Sequence, residues 1–517
     1  MSGQPNYYDV LNDEESLKAT DYDALVETTS IEDMTEDEMN YGILWSLMFD
    51  HTFDDADLPR LRLCSDGRLT RRRGDFIPWS SKELGWLGYF VKESVSIKEF
   101  GVVGRDIFEN CSEESVNIFF HENLGKCNHL KTIRFRETDL SDVIFKLGPV
   151  TKNSSITHWT VSICTLGVLE AKHLFNTFRE MKILEELYIS LSGSNGKCVN
   201  GVNSDLDDDI MAGCIPSLAT CAGMQTLELN DLNISTNSCA ALSAIFPRMA
   251  ALKKLTLCRN AIDDNCVKDL VRGLVECKHL HSLELNDNNI SDNGLDSLVQ
   301  GLPANVDKLN VEWNDIALAR QLSLMRLRVL DLSACTFSPD GPQVIAASLA
   351  NPECLLEEVY LYETNIGDKG ATILAESLHI NQRLLMMNVA ECNITKTGWN
   401  EFLPILCDTT SISATHGSNH TLQCLGEYRV PANVQNILVL NKEQDKSRVA
   451  AKKILQTHRH LNMKPLFDWE LYLMPHAVGW LERFAEARPD LKMSTIFEFM
   501  RAMPMYVVGG VVGIIVL

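Results

Sequence analysis

Aliphatic residues return along the chain in a fixed frame. Leu252-Lys-Lys-Leu255-Thr-Leu257-Cys-Arg-Asn260-Ala-Ile262 and Leu280-His-Ser-Leu283-Glu-Leu285-Asn-Asp-Asn288-Asn-Ile290 both read L-x-x-L-x-L-x-x-N-x-I. The frame recurs at 224–234, 306–316, 327–337, 356–366 and 384–394, with weaker copies at 184–191, 156–166, 130–140 and 97–107. Its central position advances by 28 residues from Leu227 to Leu255 and by 28 again to Leu283. A constant period of a few tens of residues is the mark of a stacked-repeat architecture.

One unit predicts three elements. Leu283-Glu-Leu285 alternates, which places the leucines on a core face and Glu284 on the opposite face of a short strand. The corner that follows leaves backbone groups without sheet partners, and a buried amide such as Asn288 or Asn260 can satisfy them. Ser291-Asp292-Asn-Gly294 then reads as a helix entry with Ser291 or Asp292 as cap, followed by Leu295, Leu298 and Leu302 at helical spacing. Neither the strand nor the helix can bury its apolar side alone. Stacking buries both, at roughly 1.5–3 kcal/mol per fully buried leucine. The ladder position varies: Thr138, Cys164, Leu232, Cys335, Thr364 and Cys392 stand where Asn is expected, and Leu232, unable to hydrogen bond, predicts a weak rung. Two steps break the period. Forty residues separate Leu187 from Leu227, with 192–201 expected as a mobile loop, and 21 separate Leu309 from Leu330, too few for a full helix, so the solenoid should pinch or change curvature there.

These motifs resemble leucine-rich repeats of the ribonuclease-inhibitor type, most closely at Asn288-Asn-Ile290-Ser-Asp292-Asn-Gly294 and Thr364-Asn-Ile366-Gly-Asp368-Lys-Gly370, over residues 95–425. The resemblance implies an α/β solenoid, a horseshoe with a parallel concave β-sheet and convex helices. Ser81-Lys-Glu-Leu84-Gly-Trp86-Leu-Gly-Tyr89-Phe90-Val91, and the stretch 451–499 with His458-Arg-His460 and Trp480-Leu-Glu-Arg-Phe484, are similar to the entry and end segments of a large microalgal family of such proteins.

The flanks follow from composition. The 517 residues suit two to three domains. The net charge is −23, and residues 1–59 hold 16 acidic residues against Lys18 alone. They predict a disordered acidic arm, with a short helix at 41–49. Residues 60–94 read as a basic linker (Arg60, Arg62, Arg68, Arg71, Arg72, Arg73) and an N-terminal cap; 426–501 as a helical C-terminal region; 502–517 as an apolar tail. Such a charge balance opposes binding to nucleic acid, whose phosphates it repels. The 16 cysteines include no C-x-x-C pair and no secretory leader is visible, so reduced, buried thiols in the cytoplasm, or the nucleus, are expected. The sequons at Asn289, Asn393 and Asn419 then carry little weight. The apolar tail holds 16 uncharged residues, short of the roughly 20 that a membrane span needs. It reads as a capping strand or sticky terminus, ahead of the alternatives of a membrane tail anchor or an aberrant gene-model end.

Motifs for chemistry are incomplete. Gly193-Ser-Asn-Gly196-Lys197-Cys198 lacks the first glycine and the hydroxyl of a phosphate loop. Asp205-x-Asp207-x-Asp209 has Ile210 and Pro216 where a calcium loop needs Gly and Glu. His279-x-His281 and His458-x-His460 have no third ligand. No catalytic residue, metal or cofactor is expected.

The predicted site is a surface. The strand alternation sends Glu228, Glu284, Asp331 and Tyr360 in one column, and Glu312 and Tyr362 in the next, to the concave side; just beyond them lie Asp231, Asp287, Trp313, Glu363 and Glu391. Early repeats are basic there (Arg134, Arg136) and later ones acidic and aromatic. Rings that anchor and carboxylates that steer suit a basic protein or peptide. The sequence therefore predicts a non-catalytic interaction scaffold. The alternatives are a small-GTPase regulator like the Ran GTPase-activating proteins, which the repeat type and an acidic segment suggest, and a ubiquitin-ligase substrate receptor docking an adaptor through 45–49.

Overall fold

The computed structural model describes residues 22–49, 58–65, 72–152, 155–191, 205–426 and 429–458. The chain forms two units, 1–284 with 301–305, and 285–300 with 306–517. The phosphate-loop-like stretch, the expected mobile loop, His460 and the apolar tail lie outside the described residues.

The described residues of the first unit form nine strands: β1 (Arg60–Cys64), β2 (Asp75–Phe76), β3 (Glu99–Val103), β4 (Thr132–Arg136), β5 (His158–Ser162), β6 (Glu186–Ser190), β7 (Thr226–Asn230), β8 (Lys254–Thr256) and β9 (Ser282–Glu284). Apart from β2, which pairs at the far side of β1, they lie in chain order, and every pairing is parallel. The register aligns Phe100, Ile133, Trp159, Leu187, Leu227, Leu255 and Leu283, all essentially without solvent contact. The second unit carries β10 (Lys308–Asn310), β11 (Val329–Asp331), β12 (Glu358–Tyr360) and β13 (Met386–Asn388), also parallel, with Leu309, Leu330, Val359 and Met387 in register and buried. Helices such as Thr236–Ile245 and Asp264–Leu274 in the first unit, and Gly341–Leu349 and Gly367–Ser377 in the second, alternate with the strands. The sheet does not close into a barrel, and the architecture is the α/β repeat solenoid that the 28-residue beat predicts.

The corner after most strands is made by one left-handed residue. Asp231, Arg259, Asp287, Trp313, Ala334, Glu363 and Glu391 all have φ between 53° and 60°, and Glu137 and Ile163 share the register with φ of 56°. Each non-glycine residue there costs roughly 1–2 kcal/mol. The conformation keeps the corner N–H bonded to the next strand, as in Ile163 N–H to Ser190 O (2.8 Å), Asp287 N–H to Glu312 O (2.8 Å) and Ala334 N–H to Tyr362 O (2.7 Å). It also turns the ladder residue inward: Asn288, Asn314 and Thr364 are buried.

The expected weak rung at Leu232 is served from the neighbouring repeat. Asn260 Oδ1 accepts from the N–H groups of Leu232 (3.0 Å) and Ile234 (3.1 Å), and its Nδ2 donates to Leu229 O and Cys258 O. Asn314 acts likewise in the second unit, accepting from Ile290 N–H and donating to Leu285 O, Val311 O and Glu312 O.

Acidic residues at the helix starts also reach forward. Asp292 does not cap its own helix, Asp292–Gly301; its carboxylate accepts from the N–H groups of Ala317, Leu318 and Ala319, at 2.8–2.9 Å. These residues belong to the short repeat between β10 and β11, which has no helix, as its length requires. Asp208 binds the N–H groups of Ser235, Asn237 and Ser238 in the same way, and Asp368 binds Thr395. Burial pushes the Asp208 carboxyl up, but its hydrogen bonds together outweigh this and hold it below its ordinary value; hydrogen bonds from Thr395 lower Asp368 likewise.

Both flanks are more ordered than their charge suggests. Arg60–Cys64, expected in a linker, is β1, its leucines inward and its arginines on the other face. Within the expected disordered arm, residues 22–26, 31–34 and 38–48 are helical; Asp37 caps the last of these by accepting from the N–H groups of Met39 and Asn40. Ile43, Leu44 and Leu47 of that helix are buried, and it packs against the helix Ser81–Glu93 and β2. Buried Glu83 ties the segments together, accepting from Thr35 Oγ1 (2.8 Å), Asn40 Nδ2 (3.0 Å) and Trp79 N–H (3.3 Å).

At the other end the helices Ala432–Leu440 and Lys446–Thr457 lie in the region expected to be helical. Lys453 is 1% exposed and donates to two carbonyls, Leu406 O (2.6 Å) and Asn419 O (2.9 Å). Burial lowers its pKa to about 7. A lysine depressed in the folded state is more protonated in the unfolded state between that value and 10.4, so stability rises with pH across this window. Between pH 7 and 9 the gain should be about 2 kcal/mol. Urea unfolding of this end, followed by hydrogen exchange at the two pH values, should show the gain in the native chain and lose it in Lys453→Met.

Candidate protein-interaction face

Among the described residues, the sheet in each unit has a buried side and a side whose residues are partly exposed. Outward residues alternate with the buried leucines: Glu228 lies between Leu227 and Leu229, and Tyr360 between Val359 and Leu361. The candidate residues are not equivalent across the two units.

In the first unit the carboxylates are answered by cations of the same chain. Lys254 Nζ lies 3.0 Å from Glu228 and 3.3 Å from Glu284, bridging the strands on either side of its own. Burial lowers its pKa, and the two carboxylates together outweigh that and raise it. Arg259 forks onto Asp231 through Nε (2.7 Å) and Nη2 (3.1 Å), while Ser190 Oγ donates to the same carboxylate. Nearer the start, Arg60 and Arg134 share Glu99, Arg62 binds Asp75 at 2.6 Å, and Arg136 binds Glu137.

The second unit differs. Asp287, Glu312, Asp331 and Glu363 form no ion pair among the described residues. Glu312 is the centre of the group. Burial raises its pKa, and the charges of Asp331, Glu363 and Asp287 raise it further, while a hydrogen bond from the Trp313 side chain opposes them. Burial also raises Asp331, which accepts from Ser333 N–H at 2.9 Å. Trp313, with φ of 54°, is 54% exposed, although strict alternation would bury it; the left-handed corner turns it out. Tyr360 donates to Glu358 at 2.8 Å and is pushed up to about 12 by burial and that carboxylate. Tyr362 is half-buried beside Glu363. Glu391 is engaged by Arg429 at 2.7 Å and stands apart from the others.

Lys254, Arg259 and Arg429 were absent from the sequence-derived surface. Lys254 could have been found, because it precedes inward Leu255 by one residue and the period of two sends it outward. Which carboxylates it meets depends on the neighbouring strands and is not written locally. The acidic turn at Asp205 is spent on structure: Asp207 accepts from Ile210 N–H, Asp208 binds the next helix start and Asp209 accepts from Asn237 Nδ2. Among the described residues no cluster of metal-ligating side chains occurs. Fifteen described cysteines are free thiols, most of them buried, with Cys164 pushed up to about 12 by burial. No helix among the described residues is long and apolar enough to cross a membrane.

Comparisons place this geometry among known proteins. No family model matches the chain. It is 24% identical over 279 residues, 46% of its length, to human "NACHT, LRR and PYD domains-containing protein 3", and 23% identical over 331 residues, 59% of its length, to mouse "NACHT, LRR and PYD domains-containing protein 14". The matches span only 27% and 31% of those relatives. Among solved structures, internalins of Listeria monocytogenes are similar: InlF, at 15% identity and a TM-score of 0.37, over 72% of this chain and 95% of that one, and the functional domain of InlJ, at 13% and 0.36, over 77% and 70%. The chain's own repeat frame and its parallel strands alternating with helices give it the leucine-rich-repeat fold.

Proposed function

We propose that this chain is a non-catalytic scaffold that binds a macromolecular partner on the partly exposed side of its sheet. One observation carries the reading: outward side chains such as Trp313, Tyr362 and Glu363 are held in fixed register by a buried ladder yet are not consumed by packing. Extended sheet faces of this kind are the binding surfaces of repeat proteins. For the ubiquitin-ligase alternative, the patch 45–49 is divided: Leu47 is buried in the chain, Trp45 and Phe49 are half-buried and Met48 is exposed. The GTPase-regulator alternative gains no arginine with an assignable role: Arg60, Arg62, Arg134 and Arg136 are all in ion pairs. The partner reading is tested by photocrosslinking. A benzoylphenylalanine at Tyr362 should capture a discrete partner, and one at exposed Leu169, on a helix, or Val275, at a helix end, should not. Capture from the helix positions alone would contradict the proposal.

A further inference from the structure

We infer that the sheet face of the second unit takes a cationic side chain, an arginine in a basic segment of a protein partner, against Trp313 and the carboxylates of Glu312 and Asp331. The inference rests on the scaffold reading and adds the chemistry of the partner.

The two units supply the argument by contrast. On the first, the carboxylates at the outward strand positions have their counter-ions built in: Lys254 serves Glu228 and Glu284, and Arg259 serves Asp231. On the second, the outward positions of β11 and of the corner after β10 hold Asp331 and Glu312, and the stacked repeats set them side by side: Asp287 N–H donates to Glu312 O (2.8 Å), Val311 N–H to Asp331 O (3.0 Å), Trp313 N–H to Ser333 O (3.0 Å), and Ala334 N–H to Tyr362 O (2.7 Å), next to Glu363. No cation of the described chain pairs with these four. Lys308 stands at the start of β10, two residues before Asn310, and Arg328, before β11, is already paired with Asp307 and Glu357. A partly buried group of like charges is unfavourable until a cation enters it, and each desolvated pair formed then gains more than one in bulk water.

Trp313 narrows the class of cation. Its indole is 54% exposed at the edge of the group. A guanidinium can stack on that ring while forking onto a carboxylate, which a compact ammonium does less well. A second copy of the chain is a poor occupant, since each copy carries −23. The basic early strands could not readily serve a second copy either, because Arg60, Arg62, Arg134 and Arg136 are already paired.

The test uses the full chain and a fluorescein-labelled peptide of four Arg-Gly-Ser repeats, with its citrulline counterpart as the neutral control, followed by anisotropy at low and at physiological salt. The arginine peptide should bind at least tenfold more tightly than the citrulline peptide. Glu312→Gln combined with Asp331→Asn should weaken it at least tenfold, and Trp313→Ala at least threefold. Glu228→Gln combined with Glu284→Gln should change it less than twofold. Circular dichroism melts of each variant check that the fold is kept. Equal losses from the two carboxylate pairs would show diffuse attraction to an acidic protein and overturn the inference, as would equal binding of the two peptides. Salt-sensitive dimers in sedimentation that compete with the peptide would assign the face to a second copy and also overturn it. If no peptide binds while Tyr362 still photocrosslinks a partner, the cation is wrong and the scaffold reading stands.

Discussion

Asn260→Ala should destabilise the first unit by about 3–5 kcal/mol, more than an ordinary polar substitution, because four backbone groups each lose a hydrogen bond together, although Cys258 O keeps the one from Asp231 N–H. The amide accepts from two N–H groups, of Leu232 and Ile234, and donates to two carbonyls, of Leu229 and Cys258. A lost bond costs about 1 kcal/mol where water can replace it, and about 1–3 kcal/mol for each group left buried and unpaired. Leu232 cannot compensate, since its own side chain has no polar atom. Hydrogen exchange gives the specific readout: the amides of Leu232 and Ile234 should lose protection first, while those of β4 and β5 keep theirs. Protection unchanged at Leu232 would show that the rung is held by something other than Asn260.

The second large effect separates core from surface on neighbouring positions. Leu283, fully buried, should cost about 2–5 kcal/mol as Leu283→Ala, through lost burial and the cavity left behind. Tyr360→Ala with Tyr362→Ala should cost less than about 1 kcal/mol of fold stability, since both rings are only half-buried and Tyr360 bonds only Glu358 of its own strand. The tyrosine pair should instead weaken partner binding. If urea unfolding shows it as destabilising as the leucine, the assigned facing of β12 is wrong.

Much of the architecture was legible because one signal repeats. The inward leucines at 227, 255 and 283 recur at a constant interval, and no other packing satisfies them all. The missing helix between β10 and β11 was legible from length alone. What escaped were features that depend on two repeats at once. Asp292 reads as a cap for its own helix, and only the stacked neighbour shows that its carboxylate binds Ala317, Leu318 and Ala319. Leu232 reads as a broken rung, and only the stack supplies Asn260. At the N-terminal end, charge outweighed pattern: Arg60-Leu-Arg-Leu-Cys64 alternates as a strand should, but its arginines read as a linker. The helix at 38–48 was expected only over 41–49, because the Asp37 cap sits in a run of acidic residues. For the site, the columns of outward residues followed from the period of two. Their division into a paired set and an unpaired set did not, because Lys254 and Arg259 meet their partners across strands 26 to 30 residues apart.

That division is the centre of the account, and carbodiimide amidation of the folded chain, read residue by residue with peptide mass spectrometry, tests it most directly. Asp287, Glu312 and Glu363 should be modified well before Glu228, Asp231 and Glu284, whose oxygens are held by Lys254 and Arg259. Early modification of Glu228 and Asp231 at rates equal to those of Asp287 and Glu363 would contradict it.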